Sequence, residues 1–267
     1  MSKQKYIFDN APDKNELKRL QAIEEIFDPP TQKRLRASGL ESGWQCLEVG
    51  AGAGSMAKWM KEIVGEASRV VAMDINPRFL NENNSSGIEV LNADIRNAEL
   101  QKNYFDLVHA RYVLMHLPEY ELALQNMLAC LKPGGWLVVE EPDFSAARPV
   151  AGKKEEIHAV KKVNRAIFRM FANLNMDYAL GLQIPALFQK LGLTSISVEN
   201  DAPLAPGNSK VANMMKRSAT NLTEKYLATG EATNKDVEKY CRFSQDSYAW
   251  AVYYSTIAVV GQKTITN

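Results

Sequence analysis

The chain has 267 residues, of which 46% are hydrophobic and 24% charged, and its formal net charge is +1. This composition predicts an ordinary globular protein with one large core, and the near-neutral charge argues against a surface for nucleic acid or acidic membrane. The three cysteines lack the spacing of zinc ligands, so we expect reduced thiols, no metal site and a cytoplasmic location. The polar N-terminus predicts no signal peptide, and no apolar run approaches the length of a membrane span.

Residues 1–40 are polar and mostly helical in pattern. From Asn15 onward, apolar residues recur at helical spacing, and Asp28-Pro29-Pro30 predicts the end of that helix. A second short helix is expected at about 32–38. We therefore expect an N-terminal helical cap over 1–40, ahead of the first strand.

From Trp44 onward, strands and helices alternate. Strands are predicted at 45–49, 69–75, 88–92, 105–110 and 136–140, with helices at 55–64, 77–80 and 119–131 and a hard turn at Lys132-Pro133-Gly134-Gly135. Repeated strand–helix–strand units predict a parallel sheet that is covered on both faces. In such sheets, ligands bind beyond the carboxyl ends of the strands, near the point where the strand order reverses.

After Pro142 the pattern changes. Helices are predicted at 155–174, 184–191, 209–228 and 234–248, strands at 194–198 and 253–261, and a Pro-rich loop at 201–207. We expect a core over 41–267 with helical insertions at about 146–182 and 205–250. These insertions follow strands and would form a lid above the ligand edge. The alternative is that they only complete the hydrophobic packing.

A glycine-rich turn follows the first predicted strand. Gly50, Gly52 and Gly54 stand at every second position, directly before an amphipathic segment. Glycine accepts positive φ and lets the backbone approach a ligand closely. The order of these features predicts a buried strand, a tight turn and a helix N-terminus, but a glycine-rich turn alone does not identify a ligand.

Further polar residues lie at the ends of the neighbouring predicted strands. Asp74 ends the second strand, where a carboxylate can accept from both ribose hydroxyls, and Ile75 can cover one face of an adenine. Asp94 ends the third strand, where it can accept from an adenine amino group. Each acid alone is more often a turn or cap residue. Together, on adjacent strand ends, they favour a nucleoside site.

In this order, the motifs resemble those of class I S-adenosylmethionine-dependent methyltransferases. Glu48-Val49-Gly50-Ala51-Gly52-Ala53-Gly54 is similar to the acidic-x-Gly-x-Gly-x-Gly first motif, Asp74 to the ribose-binding acid and Asp94-Ile95 to the adenine-binding pair. The resemblance spans about 41–142 and is greatest to the broad subfamily that acts on small molecules. It implies a Rossmann-like, doubly wound α/β fold. The implied sheet has seven mostly parallel strands with an antiparallel last strand, accompanied by N-terminal helices and a helical lid.

The resemblance also implies S-adenosylmethionine as the cofactor and a small molecule as the methyl acceptor. The amides of the glycine turn and of the helix N-terminus suit the cofactor's carboxylate. Glu48, if it faces the site, suits the ammonium or sulfonium group, and Tyr6 would close over the cofactor. The predicted cofactor-binding residues are Tyr6, Glu48, Gly50, Ala51, Gly52, Gly54, Asp74, Ile75, Asp94, Ile95 and Ala110.

Methyl transfer is an in-line displacement that depends strongly on positioning. O-methylation is somewhat favoured over N- or C-methylation, and it usually needs a base near neutral pH. His116 is the first candidate for that base and His109 the second. The alternative for His116 is that it only orients its loop. The aromatic residues proposed for an acceptor pocket are Tyr112, Phe144, Phe168, Phe171 and Tyr178.

Other classes of function remain open at this point. The chain could bind S-adenosylmethionine without transferring its methyl group. It could also be an NAD(P)-dependent oxidoreductase, although none of its ten tyrosines is followed four positions later by lysine. A nucleic-acid or protein methyltransferase is a further alternative. We expect a small-molecule acceptor, no nucleic-acid or membrane partner, and a monomer or homodimer.

Overall fold

A computed structural model describes residues 7–8, 13–80 and 87–265, so Tyr6, a predicted cofactor contact, lies outside the described residues. The chain divides into two compact units. The core unit comprises residues 27–141, 181–199 and 257–267, and the helical unit comprises residues 1–26, 142–180 and 200–256. The division into a cap, a core and a lid stays a prediction.

The helices and strands alternate along the first half of the chain, as expected. The helices are α1 (Asp13–Ala37), α2 (Ser55–Val64), α3 (Tyr120–Cys130), α4 (Lys154–Asn173), α5 (Ile184–Lys190), α6 (Lys210–Asn221), α7 (Thr223–Ala228) and α8 (Asn234–Phe243). The strands are β1 (Cys46–Val49), β2 (Val70–Asp74), β3 (Ile88–Asn92), β4 (Phe105–Arg111), β5 (Leu131–Asp143), β6 (Arg148–Ala151), β7 (Leu193–Asp201), β8 (Leu204–Pro206), β9 (Trp250–Val252) and β10 (Ser255–Lys263). None of the described helices is both long enough and apolar enough to cross a bilayer.

A seven-stranded sheet has the order β3-β2-β1-β4-β5-β10-β7. The pairs β1–β2, β1–β4, β2–β3 and β4–β5 are parallel. The sheet is mixed, with mostly parallel strands, which confirms the predicted fold class. Strand order reverses at β1, because β2 lies on one side of it and β4 on the other. The carboxyl ends of β1, β2 and β4 therefore border the position where such sheets bind their ligands.

Both faces of the sheet are covered, which explains why its central strands are apolar along their length. All four residues of β1 are buried, and so are the first four of β2. Helix α2 is amphipathic and buries Met56, Ala57, Met60 and Val64. The core cluster on this side of the sheet includes Leu35, Leu40, Cys46, Val70, Ala72, Leu80, Leu107 and Val138.

Helix α1 is continuous across Pro29 and Pro30, so the prediction of two helices separated by these prolines is wrong. Each proline removes an amide donor and costs an interior helix about 3 kcal/mol. Contacts on both sides of the pair offset that cost. Asp28 accepts a hydrogen bond from Arg111 at 2.7 Å, and Thr31 donates one to Glu140 at 3.0 Å.

The predicted turn at 132–135 lies inside strand β5 as a bulge. Phe105 pairs with Leu131, whereas Leu107 pairs with Trp136, so four residues leave the ladder between these two pairs. Gly134 supports this path with a φ of +78°. The short helix predicted at 77–80 is instead a single turn, closed by a hydrogen bond from the Leu80 amide to the Pro77 carbonyl at 2.9 Å.

The helical unit contains a three-stranded sheet of order β6-β9-β8, whose pairs are antiparallel. The sequence did not predict this sheet, and β8 lies within the segment expected to be a Pro-rich loop. The helix predicted at 209–228 divides into α6 and α7 at Leu222. Helix α8 begins with a capping box between Thr233 and Asp236, and it ends at Phe243 rather than at 248.

Candidate active site

The turn after β1 is held by the neighbouring strand. The amides of Gly50 and Ala51 donate to the Met73 carbonyl at 2.8 and 3.0 Å. Gly50, Gly52 and Gly54 all have positive φ values, of 69°, 57° and 92°. Helix α2 begins directly after Gly54 and has no side-chain cap. The first-turn amides of a helix point out of its N-terminus, which here follows the glycine turn.

Gly50 is required by packing as well as by its φ value. A Cβ atom built on Gly50 would lie 2.3 Å from Cγ2 of Val113, far inside van der Waals contact. Val113 belongs to the segment that follows β4. The glycine turn and the segment after β4 are therefore in direct contact.

Asp74 connects the end of β2 to the glycine turn. Its Oδ2 accepts from the Gly52 amide at 3.0 Å, and its Oδ1 accepts from the Asn76 amide at 2.8 Å. The next residue, Ile75, leaves 49% of its surface exposed. Two predicted cofactor contacts, a carboxylate and an exposed apolar side chain, thus lie beside the glycine turn.

Asp94 follows β3, at the neighbouring strand end. It accepts from the Arg96 side chain at 2.7 Å and from the Arg96 amide at 2.9 Å. Burial opposes ionisation of Asp94, but these hydrogen bonds outweigh it and hold its pKa below the usual value. Ile95 is buried, and its carbonyl accepts from Asn126 at 2.9 Å. The Ile95 side chain is thus directed into the core, and its contact with adenine stays a prediction.

Glu48 faces the interior and pairs with His109. Its Oε2 lies 2.6 Å from His109 Nδ1, and both side chains are buried. The predicted contact of Glu48 with the cofactor's ammonium or sulfonium group stays a prediction, and in the structure its carboxylate is turned towards His109. The reason lies in the sheet, because Glu48 and His109 are directly opposite each other on β1 and β4.

His109 lies between two carboxylates. Its Nε2 is 3.7 Å from Glu140 Oε1, which is longer than a hydrogen bond but close enough for ionic attraction. Burial disfavours the charged imidazole, but Glu48 and Glu140 outweigh it and raise the pKa of His109 to about 9. The ring is therefore charged at neutral pH and cannot accept a further proton. This argues against His109 as the general base, a role that stays a prediction. Ala110, the next residue, is fully buried.

Two arginines complete this charged cluster. Arg34 Nη1 lies 3.3 Å from Glu140 Oε2, and Arg111 donates to Asp28 at 2.7 Å. Thr31 bridges the two halves, since it accepts from Arg111 at 2.9 Å and donates to Glu140 at 3.0 Å. We call this set the buried ion network; its charged members are Asp28, Arg34, Glu48, His109, Arg111 and Glu140. The sequence signal for this network is the presence of charged residues inside otherwise apolar strands, such as Glu48 in β1 and His109 in β4.

Glu141 binds the backbone of the segment after β4. Its carboxylate accepts from the amides of Val113, Leu114 and Met115, at 3.0, 2.7 and 3.2 Å. Burial raises the pKa of Glu141 to about 8, although the three amides act in the opposite direction. His116 is the next residue after this segment and is half-buried. Its role as a base stays a prediction.

The predicted pocket aromatics are distributed over both units. In the helical unit, Phe168 stacks on Tyr178 with ring centres 4.4 Å apart, and Phe144 lies 5.6 Å from Phe171. In the core unit, Tyr112 packs edge-on against the ring of Phe27, with ring centres 5.2 Å apart. An acceptor pocket formed by all five aromatics stays a prediction. Among the described residues, no group of three His, Cys, Asp or Glu side chains could hold a metal ion.

Comparisons with known proteins agree with this geometry. Residues 47–139 match a family model described as a methyltransferase domain. A ubiquinone/menaquinone biosynthesis C-methyltransferase of Pseudomonas fluorescens (strain Pf0-1) is 33% identical over 115 residues, which are 40% of this chain and 45% of that protein. The chain thus spans less than half the length of the curated relatives it matches.

Solved structures match over more of the chain. One is phosphoethanolamine N-methyltransferase 2 of Haemonchus contortus, in complex with phosphomonomethylethanolamine and S-adenosylhomocysteine. It has a TM-score of 0.58 at 15% identity, and the match covers 97% of this chain and 59% of that one. A structure described as a sarcosine dimethylglycine methyltransferase from Galdieria sulphuraria has a TM-score of 0.57 at 18% identity. The match covers 90% of this chain and 85% of that one. At these identities the likeness establishes the fold alone.

Proposed function

We propose that this chain, whose residues 47–139 form a domain of the class I S-adenosylmethionine-dependent methyltransferases, transfers a methyl group from S-adenosylmethionine to a small-molecule acceptor. The hydrogen bond from the Gly52 amide to the Asp74 carboxylate carries the proposal. This hydrogen bond joins the two parts of the proposed cofactor site. The glycine turn binds the methionine end of the cofactor, and Asp74 accepts from its ribose hydroxyls. Both elements lie at the carboxyl ends of adjacent parallel strands, where ligands bind in this kind of sheet.

The residues present fit the chemical groups of this cofactor. Ribose hydroxyls and the adenine amino group are hydrogen-bond donors, and Asp74 and Asp94 offer carboxylate acceptors at neighbouring strand ends. The exposed Ile75 suits the face of the adenine ring. The first-turn amides of α2 suit the carboxylate of the methionine end, because a helix N-terminus favours an anion.

The cofactor supplies an electrophilic methyl group on a sulfonium. The chain must then hold the acceptor in line with that methyl group and receive the proton that the acceptor loses. We assign to His116 the role of receiving this proton. His116 directly follows residues 113–115, the backbone segment that is bound by Glu141. His109 is less suited, because the carboxylates around it keep it charged.

We further propose that the methylated atom is carbon, which departs from the preference for oxygen drawn from the sequence. The Pseudomonas fluorescens relative and a Pseudomonas putida relative, which is 31% identical over 115 residues, are named as C-methyltransferases. In C-methylation, a carbon–carbon bond forms, the sulfur–methyl bond breaks, and the proton leaves the carbon that was methylated. A base beside the acceptor is needed for that last step, and we assign this role to the His116 imidazole.

The test combines binding with product analysis. Calorimetry should detect S-adenosylhomocysteine binding to the full chain, and absence of binding would contradict the proposal. Incubation with S-adenosylmethionine carrying a labelled methyl group, together with a panel of phenols, quinols and amines, should give a C-methylated product. A product methylated only on oxygen or nitrogen would overturn the assignment to carbon. Cofactor binding without product from any acceptor class would favour a binding protein. The cytoplasmic location and the oligomeric state stay predictions.

A further inference from the structure

Glu141 has a fully buried carboxyl group, and its hydrogen bonds to the described residues all come from one short segment of backbone. Its Oε1 accepts from the amides of Val113 and Leu114, and its Oε2 from that of Met115. Burying a polar carboxyl group is costly unless it is hydrogen-bonded, and here three donors from consecutive residues supply the hydrogen bonds. Such an arrangement fixes the path of the segment to which the donors belong.

The segment that Glu141 holds is in contact with the proposed cofactor turn. Val113 fills the space beside Gly50 so closely that no side chain could begin there. A shift of Val113 would therefore change the support of the turn at Gly50. The same shift would move His116, whose amide donates to the Val113 carbonyl at 3.0 Å.

The geometry points to Glu141 as a positioning residue that holds the Val113–Gly50 contact and thereby sets the affinity of the glycine turn for the cofactor. This inference rests on the proposed function, because it assigns the cofactor to that turn. Glu141 itself touches no part of the glycine turn in the contacts described. Its effect passes through the backbone of Val113.

Three variants separate this role from a general effect on folding. Glu141→Met keeps a similar volume and replaces both carboxyl oxygens by a weakly accepting thioether, whereas Glu141→Gln can keep the oxygen that serves Val113 and Leu114. Val113→Ala keeps the carboxylate and removes the methyl groups that lie against Gly50. Asp106→Asn is the matched control, because Asp106 also accepts from a backbone amide, that of Gln45, at the opposite end of β4.

The measurements are amide hydrogen exchange by NMR and affinity for S-adenosylhomocysteine by calorimetry, both on the full chain. In Glu141→Met we expect the amides of residues 113–115 to exchange at least about tenfold faster and the Kd to rise about tenfold. Glu141→Gln should restore protection at Val113 and Leu114 and keep the Kd within about threefold of the wild-type value. Val113→Ala should raise the Kd with exchange at 113–115 unchanged, and Asp106→Asn should change neither.

Faster exchange in Glu141→Met with a wild-type Kd would overturn the inference, and so would unchanged exchange. If Glu141→Met does not fold, a wild-type Kd in Val113→Ala overturns it instead. A wild-type chain that does not bind S-adenosylhomocysteine contradicts the proposed function. In that case, amide exchange still decides whether Glu141 holds the backbone of residues 113–115.

Discussion

His109 Nδ1 lies 2.6 Å from Glu48 Oε2, across the central strand pair of the sheet. The two residues are register partners on parallel strands, so the pairing follows directly from the fold. Because Glu140 approaches the other ring nitrogen, the imidazole is a buried cation between two carboxylates. This relationship makes stability depend on pH.

We expect the wild-type chain to lose stability as the pH rises from about 6.5 to 9. The pKa of His109 is raised from 6.5 to about 9 in the folded state. Its contribution is therefore fully present below the unfolded-state pKa and is lost as the pH rises through the folded-state value. The loss is on the order of 3 kcal/mol. Glu141 also lowers the stability as the pH rises, because its pKa is raised to about 8 in the folded state and the unfolded chain therefore ionises first.

The variant His109→Gln isolates the contribution of the histidine. At pH 6.5 the free energy of unfolding of the variant, measured by urea denaturation, should be about 3–5 kcal/mol lower than that of wild type. The reason is that the variant leaves Glu48 buried without its cation. The difference should shrink at pH 9.5, where the wild-type imidazole is neutral. A difference that stays constant between these pH values would show that His109 is uncharged in the folded protein.

A double variant tests whether Glu48 and His109 act as a pair. Glu48→Gln combined with His109→Gln removes both charges and leaves amides of similar size. We expect the double variant to be more stable at pH 7 than either single variant, because no uncompensated charge remains buried. Chemical denaturation of the four proteins gives the coupling free energy. Additive effects would contradict a direct ion pair.

Asp74→Ala should weaken S-adenosylmethionine binding by about 1–3 kcal/mol, because the ribose hydroxyls would lose their acceptor. The Gly52 amide would also lose its partner. Calorimetry on the variant measures the loss. Glu89→Gln on the neighbouring strand is a suitable control, because Glu89 is half exposed and pairs with Arg69 away from the glycine turn. Equal affinities for wild type and Asp74→Ala would remove Asp74 from the site.

His116→Ala should reduce turnover by about 10²–10⁴ if the imidazole receives the acceptor's proton. Affinity for S-adenosylhomocysteine should stay near the wild-type value, because the proposed role begins only with the acceptor. Initial rates of transfer from S-adenosylmethionine with a labelled methyl group, at saturating cofactor, measure the loss. A wild-type rate would leave His116 with no part in proton transfer.

The cofactor turn could be predicted from the sequence because its signals are local. Gly50, Gly52 and Gly54 follow a buried strand and precede a helix within about twenty residues, and Asp74 ends the next strand. The alternation of strands and helices likewise predicted a mostly parallel sheet. These features need no knowledge of distant partners.

The buried ion network could not be predicted in this way, because its partners are far apart in the chain. Glu48 and His109 are 61 positions apart, and Thr31 and Glu140 are 109 apart. Only the register of the sheet brings them together. The small sheet of the helical unit escaped prediction because its strands have three or four residues, too few to show a period.

The continuity of α1 across Pro29 and Pro30 could not be predicted for a related reason. Local propensity ends a helix at Pro29, but contacts made by Asp28 and Thr31 with distant strands keep the path helical. Glu141 was missed because its three donors are backbone amides, which carry no mark in a sequence.

The part that α1 plays in the buried ion network sets the limits of an autonomously folding fragment. Asp28 and Thr31 are partners of Arg111, and Arg34 is a partner of Glu140. A fragment cut to the family match at 47–139 would lack Glu140 and all three residues of α1. It would leave Arg111 and His109 as buried cations with Glu48 as their only acidic neighbour within the network. The smallest fragment that retains every charge of the network therefore begins no later than Asp28 and extends at least to Glu140, beyond the matched segment at both ends.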